Sequence, residues 1–188
     1  MNSKRITPIR EMNIVLIGFM GVGKTTIGKL IAKKLYREFI DIDHEIEQKY
    51  EMSVSDIFKT LGEQEFRKIE KEFVLDIVNN KRLKVVSLGG GAFLQEEIKK
   101  ACLSNSIVFL IDLSWDNWKE RLDLIIDSRP ILQKKKFKEI EELFIERKKA
   151  YSLHNSRVST DNLDAEEVAD YIVDVLKFSW DINQPHRE

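Results

Sequence analysis

The chain has 188 residues, 43% hydrophobic and 34% charged, with a formal net charge of −1; that suits one domain with a sizeable core, leaves little room for two, and argues against a general polyanion binder such as a nucleic-acid coat. One cysteine, Cys102, excludes an internal disulfide framework and fits a reducing compartment. No run of about 18 apolar residues marks a membrane span, so a cytoplasmic protein is expected, with neither nucleic acid nor membrane as partner.

Residues 1–11 carry Lys4, Arg5 and Arg10 without the apolar stretch of a signal peptide and read as a loose tail. Residues 13–17, Asn-Ile-Val-Leu-Ile, read as a buried strand, followed by a glycine-rich turn and a helix over about 24–36 with Ile27, Leu30, Ile31 and Leu35 on one face. A short strand is expected at 39–41, then a helix through Tyr50 with Asp43 as its N-cap. Ser53 and Ser55 are both candidate caps for a helix ending near Leu61, and residues 64–78 form an amphipathic helix. A strand at 83–88 runs into Gly89-Gly90-Gly91. Then come a helix at 94–103, a strand at 107–111, and a helix at 115–124 capped by Ser114. Residues 125–137 are polar and basic around Arg129-Pro130 and read as a mobile lid. A helix at 138–151, a strand at 157–160 and a helix at 165–178 complete the domain, with 179–188 as a tail. Strands alternating with helices predict an α/β fold, a three-layer α/β/α sandwich around a five-stranded parallel sheet, within one domain over residues 12–178.

Gly18-Phe19-Met20-Gly21-Val22-Gly23-Lys24-Thr25 matches G-x-x-x-x-G-K-[ST] between a strand and a helix. Glycines let successive N–H groups curl around phosphate oxygens, the helix start adds its positive end, Lys24 reaches the β- and γ-phosphates, and the Thr25 hydroxyl suits Mg²⁺. The motif alone specifies a nucleoside triphosphate and not a reaction. A guanine-reading N-K-x-D is not met, because the near match Asn80-Lys81-Arg82-Leu83 has leucine at the aspartate position.

Asp41 and Asp43 stand two apart at the end of the second strand, where an extended backbone would put both carboxylates on one face. One could sit near the metal while the other orients or deprotonates a hydroxyl; equally, Asp43 could be a cap and Asp41 a solvated turn residue. Arg67 and Glu70, one turn apart, read first as a surface pair, though such a pair can hold a guanidinium for a carboxylate. Three consecutive glycines suit close approach of a ligand or a tight turn. Ser87 could hold a water of the metal shell. Arg129 could meet the transferring phosphoryl when the lid closes, whereas the lysines around it read as a solvated face. Arg147 alone reads as a surface arginine, and His44, His154 and His186 show no metal-ligand spacing.

In this order the motifs resemble the shikimate kinase family: the phosphate loop, Asp41-Ile42-Asp43, Gly62-Glu63 with Phe66-Arg67 and Glu70, Gly89-Gly90-Gly91, Arg129-Pro130-Ile131-Leu132, and Arg147 with Tyr151. The resemblance spans residues 13–176. It implies a P-loop kinase of the nucleoside monophosphate kinase type that transfers the γ-phosphoryl group of ATP to the 3-hydroxyl of shikimate, in aromatic amino acid biosynthesis, with Mg²⁺ as cofactor. It further implies that Gly21, Val22, Gly23, Lys24, Thr25 and Thr26 hold the phosphates and that Thr25 and Asp41 serve the metal. Asp43 is the candidate base; Asp43, Arg67, Gly90 and Arg147 bind shikimate; Arg129 is the lid arginine at ATP. The family's R-x-P-L-Y reads here Arg147-Lys148-Lys149-Ala150-Tyr151, keeping only the arginine and the tyrosine. A monomer is expected. The competing readings are another small-metabolite P-loop kinase, for gluconate or a nucleoside monophosphate, and a catalytically inactive nucleotide-binding relative.

Overall fold

The computed structural model describes residues 7–126, 130–133 and 135–182. Arg129 and the end of the chain beyond 182 lie outside the described residues.

Five strands form one parallel sheet in the order β2-β3-β1-β4-β5: β1 (Asn13–Ile17), β2 (Glu38–Asp41), β3 (Lys84–Ser87), β4 (Ser106–Asp112) and β5 (Ser156–Ser159). β1 sits at the centre and is buried along its whole length, as an unbroken apolar run covered on both faces must be. The register pairs Leu16 with Ser87 and Phe109, and Asp41 with Ser87, so the strands end together along one edge. The chain leaves β1 for β2 on one side and later returns from β3 to β4 on the other. That reversal opens a crevice at the strand ends between β1 and β3, the place where open α/β sheets bind ligands.

Helix α1 (Lys24–Leu35) packs on α10 (Ala165–Ile182), while α4 (Glu63–Asn80) packs on α5 (Glu96–Asn105) and on α2 (Ile42–Tyr50) and α3 (Val54–Leu61). The core joins Ile14, Leu16, Val85, Val108 and Phe109 of the sheet to Ile31, Val74, Val78 and Ile172 of the helices, all essentially without exposed surface.

Some boundaries differ from expectation for local reasons. Asp41, not Asp43, occupies the N-cap position of α2; Asp43 is already in the first turn. Ser53, not Ser55, caps α3, its hydroxyl oxygen accepting the Asp56 N–H at 3.1 Å. The helix expected at 115–124 is two short pieces, α6 (Trp115–Lys119) and α7 (Leu122–Ile125), interrupted at Glu120 and Arg121. Within the stretch read as a lid, α8 (Pro130–Gln133) contributes the buried Leu132, and α9 (Phe137–Ala150) follows. The last helix runs on through Ile182, where Trp180 lies under the Arg37 guanidinium. Arg37 also donates to the carbonyls of Arg10 and Met12, so the chain is tied to the domain from the short 3₁₀ turn Ile9–Glu11 onward.

Candidate active site

The loop between β1 and α1 is built for an anion. Gly21 and Gly23 hold φ of 77° and 102°, conformations that a side chain would strain, and Gly23 caps α1 without any side-chain acceptor for the first N–H groups of the helix. Gly21, Gly23, Lys24 and Thr25 line the cleft, at the positive end of the helix. Lys24 is 8% exposed, and its Nζ donates to the carbonyls of Gly18 and Phe19, both at 2.9 Å, so the ammonium lies along the loop.

A cleft of about 920 Å³ opens here, lined by Gly21, Lys24, Thr25, Asp41, Asp43 and Ser87 among others. The Thr25 hydroxyl donates to Asp41 Oδ2 at 2.7 Å. The register places the buried Ser87 hydroxyl beside Asp41 at the ends of paired strands. These are hard oxygen donors of the kind Mg²⁺ accepts, and few protein ligands are needed where phosphates and water complete the shell. Among the described residues no group of three or more His, Cys, Asp or Glu side chains gathers as a metal cage. Asp41 and Asp43 do share the cleft, although not through strand alternation: one ends β2 and the other lies in the first turn of α2.

A second pocket adjoins the first, sharing Met20, Asp43, Val54, Gly89 and Gly90 with it and adding Arg67, Glu70 and Gly91 among others. The surface-pair reading of Arg67 and Glu70 is overturned here. Glu70 has no exposed surface, and the Arg67 guanidinium donates to its Oε2 at 2.7 Å, with Glu63 at 3.3 Å. Gln95 Nε2 donates to the same Glu70 oxygen at 3.0 Å, while Oε1 is buried with no hydrogen-bond partner. Burial pushes the Glu70 carboxyl up to about 7 against the pull of Arg67, and the nearby Asp43 carboxylate adds to the rise. The Glu70 and Glu63 carboxylates keep the Arg67 guanidinium above its ordinary value despite burial. Its plane also lies near the rings of Phe66 and Phe58, at 5.3 and 5.7 Å.

The triple glycine is explained by space. A Cβ on Gly91 would stand 2.5 Å from Arg67 NH2, and one on Gly89 would stand 2.7 Å from Asp43 Oδ1 and 2.9 Å from Glu70 Oε1. Side chains there would displace the groups that define the pocket. Tyr151 at the end of α9 donates its phenolic O–H to the carbonyl of Gly90. Burial raises the phenol well above its usual value, and the charges of Arg147, Arg67 and Glu70 all act on it. Arg147 does not line the pocket described, but its NH1 is buried without a partner, one helical turn before Tyr151. It is therefore not the surface arginine that it suggested in isolation. Ile131 on α8 lines the same pocket, and this is where the stretch read as a lid touches the site.

Sequence reasoning missed the side chains that brace the phosphate loop from outside. Trp118 Nε1 donates to the carbonyl of Met20 at 2.7 Å, and Arg121 NH1 to the carbonyl of Gly21 at 3.4 Å. Neither belongs to a local motif; each lies about a hundred residues from its partner. The only signal available was a buried-type aromatic, Trp118, one turn after the Ser114 cap.

The family model for shikimate kinase matches residues 20–177. A shikimate kinase of Bacillus subtilis (strain 168) is 62% identical over 185 residues, covering 98% of this chain and 100% of that protein. The crystal structure of shikimate kinase from Aquifex aeolicus superposes with a TM-score of 0.77 at 32% identity, covering 92% of this chain and 100% of that one. Shikimate kinase from Acinetobacter baumannii in complex with shikimate superposes with a TM-score of 0.83 at 30% identity, covering 89% of this chain and 94% of that one.

Proposed function

The chain belongs to the shikimate kinase family, and we propose that it transfers the γ-phosphoryl group of ATP to the 3-hydroxyl of shikimate, releasing ADP and shikimate 3-phosphate. The observation that carries this reading is one cleft in which a phosphate loop adjoins the part-buried Arg67 guanidinium held by the buried Glu70, with Asp43 lining both parts. Among the described residues no helix is long and apolar enough to cross a membrane.

In this reading Gly21, Val22, Gly23, Lys24, Thr25 and Thr26 hold the triphosphate through the loop's N–H groups, the ammonium and the hydroxyls. Thr25 and Asp41 would hold Mg²⁺; the 2.7 Å contact between them supports the pairing. When bound, Mg²⁺ would supply positive charge that offsets the negative charge of the triphosphate. The shikimate carboxylate binds Arg67, which Glu70 fixes in place, and Arg147, whose buried NH1 lacks an acceptor. Asp43 accepts hydroxyl hydrogens of the ring and takes the proton of the attacking oxygen. Gly90 presents its backbone to the ring while Tyr151 holds its carbonyl. Arg129 meets the phosphates when residues 125–137 close as a lid, and closure excludes water as a competing acceptor.

An ADP-release assay with shikimate, gluconate, AMP and CMP as acceptors tests the assignment. Turnover is expected with shikimate alone; turnover confined to a nucleotide acceptor would overturn it. Magnesium removal with EDTA should abolish turnover, and added Mg²⁺ should restore it.

A further inference from the structure

Trp118 has no exposed surface, and its indole N–H donates to the carbonyl oxygen of Met20 inside the phosphate loop. The loop motif itself demands nothing of position 118. The Met20 carbonyl and the Gly21 N–H are two ends of one peptide unit, and no described peptide bond is cis. In a trans peptide the C=O and N–H point in opposite directions. A donor that fixes the carbonyl on the outer side of the loop therefore fixes the N–H on the other side, and Gly21 lines the cleft. Gly21 also sits at φ 77° with no side chain to lock it, so its flanking peptides reorient easily unless something holds them. The carbonyl of the next peptide, that of Gly21, accepts from Arg121.

The indole is itself held from several sides. Its ring lies edge-on to Phe19 at 5.0 Å, stacks on Trp115 at 5.4 Å and touches Phe144 at 5.6 Å. Helix α6 is capped by Ser114, and the Asp161 carboxylate accepts both the Ser114 N–H at 2.9 Å and the Asn117 amide at 2.8 Å. From the other face, Met20 N is close enough to Gly90 that a Cβ there would stand 3.2 Å away.

We propose that Trp118 is a positioning residue for the phosphate loop: its indole N–H holds the Met20–Gly21 peptide in the orientation that offers the Gly21 N–H to the nucleotide's phosphates. The proposal rests on reading residues 18–25 as the ATP site. A phosphate oxygen accepting the Gly21 N–H polarises the peptide and strengthens the bond from Trp118 at its other end. A merely structural indole, satisfying its own buried N–H, would leave both nucleotide affinity and this coupling untouched.

The test has two arms. Trp118→Phe keeps the aromatic packing and removes the donor; it should raise the KM for ATP and the Kd for Mg-ADP roughly 2- to 13-fold, the range for one hydrogen bond of ordinary strength, and leave the KM for shikimate unchanged. Equal ATP KM in variant and parent, or a matching rise in the shikimate KM, overturns the proposal. The second arm leaves Trp118 in place. In protein labelled with ¹⁵N-tryptophan, the Trp118 indole N–H resonance, assigned by elimination with Trp115→Phe and Trp180→Phe, should move downfield when Mg-ADP is added. A resonance that stays put while the nucleotide binds overturns the proposal even if Trp118→Phe fails to fold. If the parent protein binds no Mg-ADP, the ATP-site reading has failed first, and the proposal falls with it.

Discussion

Glu70 combines full burial, one guanidinium and one nearby carboxylate. Its ordinary ionisation near 4.5 moves to about 7 in the fold. Between those values the folded chain holds a proton that the unfolded chain has released, so stability falls as pH rises through this window, by at most about 3 kcal/mol. Glu70→Gln should therefore flatten the dependence of Tm on pH between about 5 and 7, measured by scanning calorimetry; an unchanged slope would place the titration elsewhere. The same substitution loosens Arg67. Arg67→Ala should raise the shikimate KM roughly 10- to 100-fold, as loss of a charge-assisted pair does, and leave the ATP KM near that of the parent. A rise in the ATP KM instead would reverse the assignment of the two sub-sites. Asp43→Asn should keep nucleotide binding by calorimetry and cut kcat roughly 10²- to 10⁴-fold if the carboxylate takes the proton. A near-normal kcat would reduce Asp43 to a hydroxyl-orienting role, which a loose transition state permits.

At the scale of the element, α9 serves three parts of the site at once. Phe144, Arg147 and Tyr151 follow at helical spacing: the first joins the aromatic cluster behind the phosphate loop, the second carries a buried unpartnered donor, and the third secures Gly90. Tyr151→Phe leaves the Gly90 carbonyl without that donor, a loss of about 1–3 kcal/mol where the group stays buried. It should lower Tm and raise the shikimate KM without a matching effect on ATP; an unaltered shikimate KM would show that Gly90 keeps its place unaided. Much of this was legible locally. The strand–glycine–helix order around residues 18–25 dictates the phosphate loop because backbone conformation and helix polarity are short-range properties. The break between α6 and α7 was not legible: residues 115–124 carry no glycine or proline to announce it. At that break Arg121 donates to a carbonyl a hundred residues away, and tertiary contact overrides propensity.

For the whole molecule, the crevice at the switch between β1 and β3 brings the phosphate loop, Asp41, Ser87 and the triple glycine to one edge of the sheet. A ligand seated there contacts segments from across the chain, so binding and folding are linked. Mg-ADP at about 100 times its Kd should stabilise by about 2.7 kcal/mol and raise Tm roughly 5–10 °C for a chain of this size. Lys24→Ala should abolish most of that shift, and an undiminished shift in the variant would move the nucleotide elsewhere.

The sequence by itself determined the alternation of strand and helix, the anion-binding loop and the family likeness, because these rest on periodicity, glycine and the order of short motifs. Only the tertiary structure decided that Arg67 pairs with a buried Glu70, that Arg147 is not a surface residue, and that the glycines at 89 and 91 make room for Asp43, Glu70 and Arg67. Burial and the choice of partner are properties of surfaces meeting from distant parts of the chain, and no local pattern of residues encodes which surfaces will meet.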